Sequence, residues 1–278
     1  MKRILCACVL MSLFASVAAT GTKATAASLK NDTAGTGKND GISDGYALKT
    51  IVLDAGHGGH DPGTNWGGVY EKHVALSITL KVGKLIKENF PDVKVIYTRD
   101  DDTFVELYER ANIANRNHAD LFISIHCNAV NNTSPYGSET YTLGLHRTED
   151  NFEVAKRENQ VIYLEEDYEE NYHGFDPNSP ESYIIFSLYQ SQNLANSIAL
   201  AAKIQQEFKD AGRHNRGVKQ AGFLVIRETS MPSVLVETGF VSNSNERKFL
   251  NSYEGQMKMA RSIYNAFKSY KASVESAN

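Results

Sequence analysis

The chain has 278 residues, of which 41% are hydrophobic and 22% are charged, and Asp and Glu outnumber Lys and Arg by 33 to 29. This composition is typical of a soluble globular protein. The acidic balance provides no basic stripe for phosphate backbones, so we expect no nucleic acid partner.

The N-terminus predicts export. Lys2 and Arg3 precede an apolar stretch at residues 4–17, and the small residues Val17-Ala18-Ala19 are typical of a cleavage site. A charged start, a short apolar run and small residues indicate a signal peptide at residues 1–19 rather than a membrane span. We expect the periplasm, with the cell exterior as the alternative, because no wall-anchoring repeats are recognisable.

Two of the three cysteines, Cys6 and Cys8, lie inside the predicted signal peptide. The exported chain would then keep only Cys127 and form no internal disulfide. A lipoprotein signal at Leu5-Cys6-Ala7-Cys8 is the alternative, but the apolar stretch before Cys8 is short for one. We expect Cys127 to be a buried, inert thiol.

The rest of the chain predicts one folded domain. Residues 20–46 are rich in small and polar residues and are predicted to form a flexible leader, because they bury too little apolar surface to offset their ordering entropy. Residues 47–272 suffice for one domain with a sizeable core, followed by a tail at residues 273–278. No later apolar span is visible, so we expect no transmembrane anchor in the mature chain.

Short apolar runs alternate with helical patterns, which predicts an α/β domain. We expect a roughly six-stranded, mostly parallel or mixed sheet flanked by helices. The spacing of apolar residues predicts helices around residues 75–86, 107–114, 194–208 and 260–270. The predicted strands are Thr50 to Asp54, Val93 to Thr98, Leu121 to His126, Ser138 to Leu143, Phe223 to Arg227 and Ser233 to Glu237.

Residues 144–187 predict an insertion between a strand and a helix, longer than a simple connection requires. The interval contains a helical stretch around residues 154–164 and an acidic run, LEEDYEENY, at residues 164–172. The acidic run alone indicates no more than a solvated face.

Side chains suited to zinc chemistry end or follow the predicted strands, where sites form in open α/β sheets. His57 follows the first strand on a glycine-rich bend, and His126 ends the apolar run LFISIH. Glu71 lies directly before a helix, where a carboxylate suits the helix dipole. This set predicts a site for one Zn²⁺ ion. Alternatively, Glu71 only caps its helix and His126 is a satisfied polar residue.

Glu237 ends the buried run Val234-Leu235-Val236, where a carboxylate without a partner would be costly. Beside a metal site, that position suits a general base. The alternative is a salt bridge from Glu237 to Arg227 or Arg99.

The other histidines lack a comparable setting, and we expect them on the surface or in loops. They are His60, His73, His118, His146, His173 and His214.

Six motifs carry a family resemblance, and they are LDAGHGGHDPG, VYEKHVALSI, YTRDDD, LYERANIAN, ISIHCNA and PSVLVETGFVSN. Together they resemble the zinc-dependent N-acetylmuramoyl-L-alanine amidases of the amidase_3 family, from Ile51 to Tyr270. The resemblance implies a mixed sheet of about six strands flanked by helices. It also implies hydrolysis of the amide between N-acetylmuramic acid and the L-alanine of the stem peptide, in peptidoglycan or muropeptides.

The resemblance also implies roles for individual residues. It assigns one zinc ion to His57, Glu71 and His126, and it makes Glu237 the catalytic carboxylate. Arg99 and Asn128 match family positions near the site, and we expect them to give support or substrate contact. Asn128 is the better candidate for substrate contact, because it follows His126 by two residues and shares its strand face.

The insertion resembles a helical segment that covers the active site in cell-separation amidases of this family. There, an acidic residue occupies the open zinc position until a protein activator displaces it. Glu165 or Glu166 would do so here, and nothing in the sequence selects between them or excludes Glu158. Without recognisable wall-binding repeats, wall turnover is favoured over daughter-cell separation.

Two other functions stay open at this point. Two imidazoles and a carboxylate also serve zinc carboxypeptidases, which release terminal amino acids. A catalytically silent wall-binding protein is the second alternative, although all four site residues are present.

Overall fold

The computed structural model describes residues 46–146, 148–187 and 193–276. The predicted signal peptide, with Cys6 and Cys8, and residues 20–45 of the predicted leader lie outside this range. The strands are β1 Thr50–Ala55, β2 Asn65–Trp66, β3 Val69–Tyr70, β4 Lys94–Tyr97, β5 Leu121–Asn128, β6 Ser138–Leu143, β7 Asn215–Ala221 and β8 Ser233–Phe240.

The helices fall where apolar residues recur at helical spacing. In the first helix, for example, Val74, Ile78, Val82 and Ile86 are buried four residues apart on one face. The α-helices are α1 Glu71–Asn89, α2 Leu107–Arg116, α3 Glu149–Asn159, α4 Tyr168–Asn171, α5 Leu194–Asp210, α6 Ser244–Leu250 and α7 Tyr253–Ser276. Short 3-10 helices are Gln160–Leu164, Pro180–Ser187 and Leu224–Ile226.

Six strands form one mixed sheet in the order β4-β1-β5-β8-β6-β7. The central pairs β1 with β5 and β5 with β8 are parallel, and β6 is antiparallel to β8. The short strands β2 and β3 form a separate hairpin. The predicted fold class is therefore confirmed.

Successive residues of the central strands pack into two cores on opposite sides of the sheet, because side chains alternate along a strand. Leu53 and Ile123 pack with α1, α5 and α7 on one side. Val52 and Phe122 pack with α2 and the insertion on the other. The insertion, which contains α3 and α4, thus contributes to a core.

Two sequence predictions are wrong. Residues 223–227 do not form a strand but a 3-10 turn, and the strand lies earlier, at β7. The tail predicted at residues 273–278 begins too early, because α7 continues to Ser276. The Glu275 carboxylate accepts a hydrogen bond of 2.9 Å from the Leu48 backbone N–H.

Across the part of the chain that the structure describes, no helix is both long and apolar enough to span a membrane.

Candidate metal centre

His57 lies on the loop that leaves β1, in a left-handed backbone conformation with φ of 63°. Its Nδ1 lies 2.7 Å from Oδ2 of Asp61, four residues later, and the other Asp61 oxygen accepts from the Gly63 N–H. A carboxylate on one imidazole nitrogen fixes the ring and makes the other nitrogen a better ligand. Asp61 therefore directs Nε2 of His57 into the site.

Glu71 is the first residue of α1 and is fully buried. Its Oε1 accepts a hydrogen bond of 2.8 Å from the Cys127 N–H on β5, and its Oε2 accepts one of 3.0 Å from the Thr64 N–H. The helix N-cap is Tyr70, which makes no side-chain cap. The Glu71 carboxylate thus joins three elements at the sheet edge and is more than a helix cap.

His126 lies near the end of β5 with its ring against Gly56, which follows β1. A Cβ at Gly56 would lie 2.3 Å from Cε1 and 2.4 Å from Nε2 of this ring, closer than heavy atoms can approach. Gly63 is restricted in the same way on the other side, where a Cβ would lie 2.6 Å from Cδ2 of His57. Glycines at these positions make room for both imidazoles.

A fourth side chain, Glu158 of α3, completes the group. One ligand atom from each of His57, Glu71, His126 and Glu158 lies within 4.8 Å of all the others, and all four residues are buried. Glu71 Oε1 is 3.3 Å from His57 Nε2 and 3.2 Å from His126 Nδ1. Glu158 Oε2 is 3.2 and 3.1 Å from the same two nitrogens.

These distances fit one metal ion. Four ligands at about 2.0–2.1 Å around a tetrahedral zinc ion would be separated by about 3.3 Å. His57 Nε2 and Glu158 Oε2 are buried and make no hydrogen bond within the described chain. Buried nitrogen and oxygen atoms that lie this close without a hydrogen bond are typical of ligands that face a common cation.

Charge couples these groups. Burial would lower the pKa of His57, but nearby carboxylates, chiefly Glu71, raise it well above its usual value. Burial would also lower the pKa of His126, but Glu158 raises it to about 9. Burial opposes ionisation of Glu158, yet Arg157 and His126 lower its pKa well below the usual range. A divalent cation would displace the protons that the imidazoles hold.

Glu237, on β8, is fully buried beside this group, and it lies directly across from His126 in the parallel β5 and β8 pair. Neither of its carboxylate oxygens makes a hydrogen bond within the described chain. Burial raises its pKa well above the usual value, and the carboxylates of Glu158 and Glu71 add to this effect. Arg157 Nη2 lies 3.7 Å from Oε1 of Glu237.

The alternative partners of Glu237 are engaged elsewhere. Arg99 is buried and donates to the backbone oxygens of Ala55, Gly56, Lys72 and Asp101. Arg227 donates to Glu228 at 2.6 Å. Arg99 thus supports the loop that carries His57, while Glu237 stays available for chemistry.

Comparison with known proteins decides the family. The model of the Amidase_3 family, described as N-acetylmuramoyl-L-alanine amidase, matches residues 51–269. The chain belongs to this family. It is 33% identical over 226 residues to N-acetylmuramoyl-L-alanine amidase AmiA of Escherichia coli (strain K12), covering 80% of this chain and 76% of the relative.

Solved structures agree. An N-acetylmuramoyl-L-alanine amidase from Clostridium difficile 630 is similar with a TM-score of 0.62 and 26% identity, covering 82% of this chain and 99% of that one. The CwlD amidase of Clostridioides difficile, solved in complex with the GerS lipoprotein, has a TM-score of 0.61 and 28% identity, covering 81% and 99%. The protein is therefore an N-acetylmuramoyl-L-alanine amidase that acts on peptidoglycan.

The insertion of this amidase brings Glu158 to the metal site, not Glu165 or Glu166. Glu165 is buried, but it accepts hydrogen bonds from the Leu107 N–H at 2.9 Å and from the Tyr172 hydroxyl at 2.6 Å. The side chain of Glu166 is exposed. Glu158, which the sequence did not exclude, is the acidic residue of the insertion that lies in this group, because it is on the buried face of α3, whereas Glu165 and Glu166 follow that helix.

The remaining sequence predictions fall as follows. Cys127 is confirmed as buried, its Sγ lies 3.2 Å from the Thr238 hydroxyl, and burial raises its pKa well above the usual value. His146 is partly buried against the Phe152 ring. The histidines that are exposed are His60, His73, His118, His173 and His214.

Three contributors to the amidase site were missed in the sequence. Asp61 follows His57 by four residues in GGHDPG, and an acidic residue so near a ligand is a usable signal. Arg157 precedes Glu158 but has no distinguishing pattern. Glu139 lies at the amino end of β6, and it reaches the site edge only because β6 is antiparallel to β8.

Proposed function

We propose that this amidase binds one zinc ion through His57, Glu71 and His126 and uses Glu237 as its proton carrier. The observation that carries the proposal is the convergence of buried ligand atoms at separations of 3.1 to 3.3 Å, with Glu237 beside them. The ligand set of two imidazoles and a carboxylate leaves a further position for chemistry.

In the reaction, the oxygen of water bonds to the lactyl carbonyl carbon of N-acetylmuramic acid, and the C–N bond from that carbon to the nitrogen of L-alanine breaks. A zinc ion held at this site would act as a Lewis acid and increase the acidity of the attacking water. Glu237 accepts a proton from that water and delivers it to the nitrogen of the leaving amine. Its burial and its lack of hydrogen bonds keep the carboxylate basic enough for both transfers.

We also infer that α3 holds the resting enzyme inactive, because Glu158 takes the position that water and substrate need. Arg157 secures this arrangement. Its Nε and Nη2 donate to Glu158 Oε1 at 3.0 and 2.9 Å, and its Nη1 donates to the Ala129 carbonyl at 2.6 Å. Activity then requires α3 to leave the cleft.

A protein that binds the insertion would supply the energy for this opening. The CwlD amidase, to which this chain is similar, was solved with a protein partner, which supports a partner here without identifying it. With the N-terminal sequence, we propose an exported enzyme, placed in the periplasm rather than outside the cell, that serves wall turnover or daughter-cell separation.

Mass spectrometry of reaction products tests the catalytic proposal. Mature protein that carries the activating Glu158→Ala substitution is incubated with zinc and with peptidoglycan or soluble muropeptides, beside the Glu158→Ala/Glu237→Ala double variant. We expect free stem peptides and glycans without peptides, reduced by at least about a thousandfold in the variant. Free terminal amino acids would indicate a carboxypeptidase, and equal activity of the variant would overturn the role of Glu237.

Two variants on α3 test inhibition. Glu158→Ala removes the carboxylate at the site, and Glu149→Ala removes an exposed carboxylate from the same helix. We expect the first to increase resting hydrolysis by about tenfold or more and the second to leave it unchanged. Deletion of residues 148–183 should also activate the enzyme, and unchanged activity in both Glu158→Ala and the deletion would contradict inhibition.

A further inference from the structure

One imidazole and two carboxylates form a row across the three neighbouring strands β5, β8 and β6. His126 on β5 pairs with Glu237 on β8, and Glu237 pairs with Glu139 on β6. Directly opposed residues of neighbouring strands project to the same face. Glu139 is therefore the next residue beyond Glu237, on the side away from the metal ligands.

Glu139 is almost fully buried and is held by two cations. Its Oε2 accepts from Arg216 Nε at 3.0 Å and from Lys219 Nζ. Burial would raise its pKa, but Lys219 and Arg216 lower it below the usual value. Glu139 is thus an ionised carboxylate, which can only accept hydrogen bonds.

The other oxygen of Glu139 sets the orientation of Asn128. Oε1 accepts from Asn128 Nδ2 at 2.7 Å and from the Tyr141 hydroxyl at 3.0 Å. Because Glu139 cannot donate, the Asn128 amide nitrogen must face it, and Oδ1 must face the opposite way.

Asn128 Oδ1 has no hydrogen-bond partner among the residues that the structure describes. The residue is fully buried, and no atom within the described ranges donates to this oxygen. A buried acceptor that lacks a donor costs about 1–3 kcal/mol, so such an atom calls for an explanation. Asn128 also lines a cavity of about 550 Å³, together with Arg157 and Glu139.

We propose that Asn128 Oδ1 accepts a hydrogen bond from the N–H of the scissile amide, and that Glu139 is the positioning residue that turns it there. The inference rests on the proposed function, in which Glu237 protonates the amide nitrogen. That nitrogen must lie beside Glu237, whose neighbour Glu139 holds the Asn128 side chain. An N–H directed at Asn128 leaves the lone pair that develops on nitrogen free to take the proton from Glu237.

A pair of substrates isolates this hydrogen bond. One is a muramoyl peptide with the scissile amide, and the other is the matched ester, in which oxygen replaces the N–H. We expect Asn128→Ala and Glu139→Gln to lower kcat/KM for the amide by about 10- to 100-fold and for the ester by no more than about threefold. If the site binds the N–H, the substitutions should slow hydrolysis only of the amide, because the ester has no N–H to bind.

The measurements use the full mature chain in the Glu158→Ala background, with zinc content and Tm recorded for every variant. Asn245→Ala, an exposed asparagine elsewhere, is the matched control and should change neither rate. Asn128→Ala carries the test alone if Glu139→Gln loses its fold. If the Glu158→Ala parent is active and the substitutions lower kcat/KM equally for amide and ester, the inference is overturned. If that parent does not hydrolyse the amide, the proposed function itself is overturned.

Discussion

Asp61 is the residue whose role is most separable from catalysis, because it touches His57 and not the reacting atoms. Its Oδ2 lies 2.7 Å from Nδ1 of His57. Replacing a carboxylate that orients a ligand histidine costs about 10- to 100-fold in metal affinity. We expect Asp61→Asn to weaken zinc binding by this factor, measured by competition with a chelator.

The control for Asp61→Asn is the same substitution at Asp92, which is exposed before β4. Asp92→Asn should bind zinc as the unsubstituted protein does. If Asp61→Asn also keeps its zinc affinity, then the contact with His57 neither orients nor strengthens that ligand.

Individual site residues differ in how far the sequence could predict them. His57, His126 and Glu237 come at the ends of apolar runs, so the strand pattern alone indicates that they meet. Glu158 comes from a helix whose docking depends on tertiary packing, and no local pattern separates it from Glu165. Glu139 reaches the site only because β6 runs antiparallel to β8, and the periodicity of a sequence does not show the direction of a strand.

The same limit applies to whole elements. The buried strands β1, β5 and β8 contain the apolar runs IVL, LFI and VLV, and they lie close to their predicted positions. Strand β7 lies at the sheet edge, and its sequence NRGVKQA is mostly half-buried and polar, so it carries no such signal. The apolar run FLVI at residues 223–226 packs into the core as a turn instead, since burial does not require a strand.

Glu165 connects two elements, the insertion and α2. It caps the N-terminus of α2 through the Leu107 N–H and also binds the Tyr172 hydroxyl. Loss of such a cap and its buried hydrogen bonds costs about 1–2 kcal/mol. We expect Glu165→Ala to lower Tm by roughly 3–6 °C in thermal unfolding.

Glu166→Ala is the matched comparison for Glu165→Ala, since the neighbouring carboxylate is exposed. Its Tm should stay within about 1 °C of the unsubstituted protein. An equal change in both variants would show that Glu165 does not connect the insertion to α2.

At the scale of the whole molecule, the candidate metal site lies at one end of the central strands β1, β5 and β8. The two apolar cores pack on opposite faces of the sheet. The candidate ligands come from β5, α1, α3 and the loop after β1, and none of them belongs to either apolar core. Because the two cores pack without these residues, we expect the domain to fold without the ion and the bound ion to stabilise it.

Zinc removal measures this linkage. An ion that binds only the folded chain adds about 2.7 kcal/mol at a free concentration one hundred times its Kd, which corresponds to a Tm increase of roughly 5–10 °C for a domain of this size. We expect the chelated protein to unfold cooperatively at the lower Tm and zinc to restore the higher one. His126→Ala should abolish the increase, while His60→Ala, which removes an exposed imidazole, should keep it. An increase that survives in His126→Ala would place the zinc elsewhere, because that variant removes one of the ligands from which the site is built.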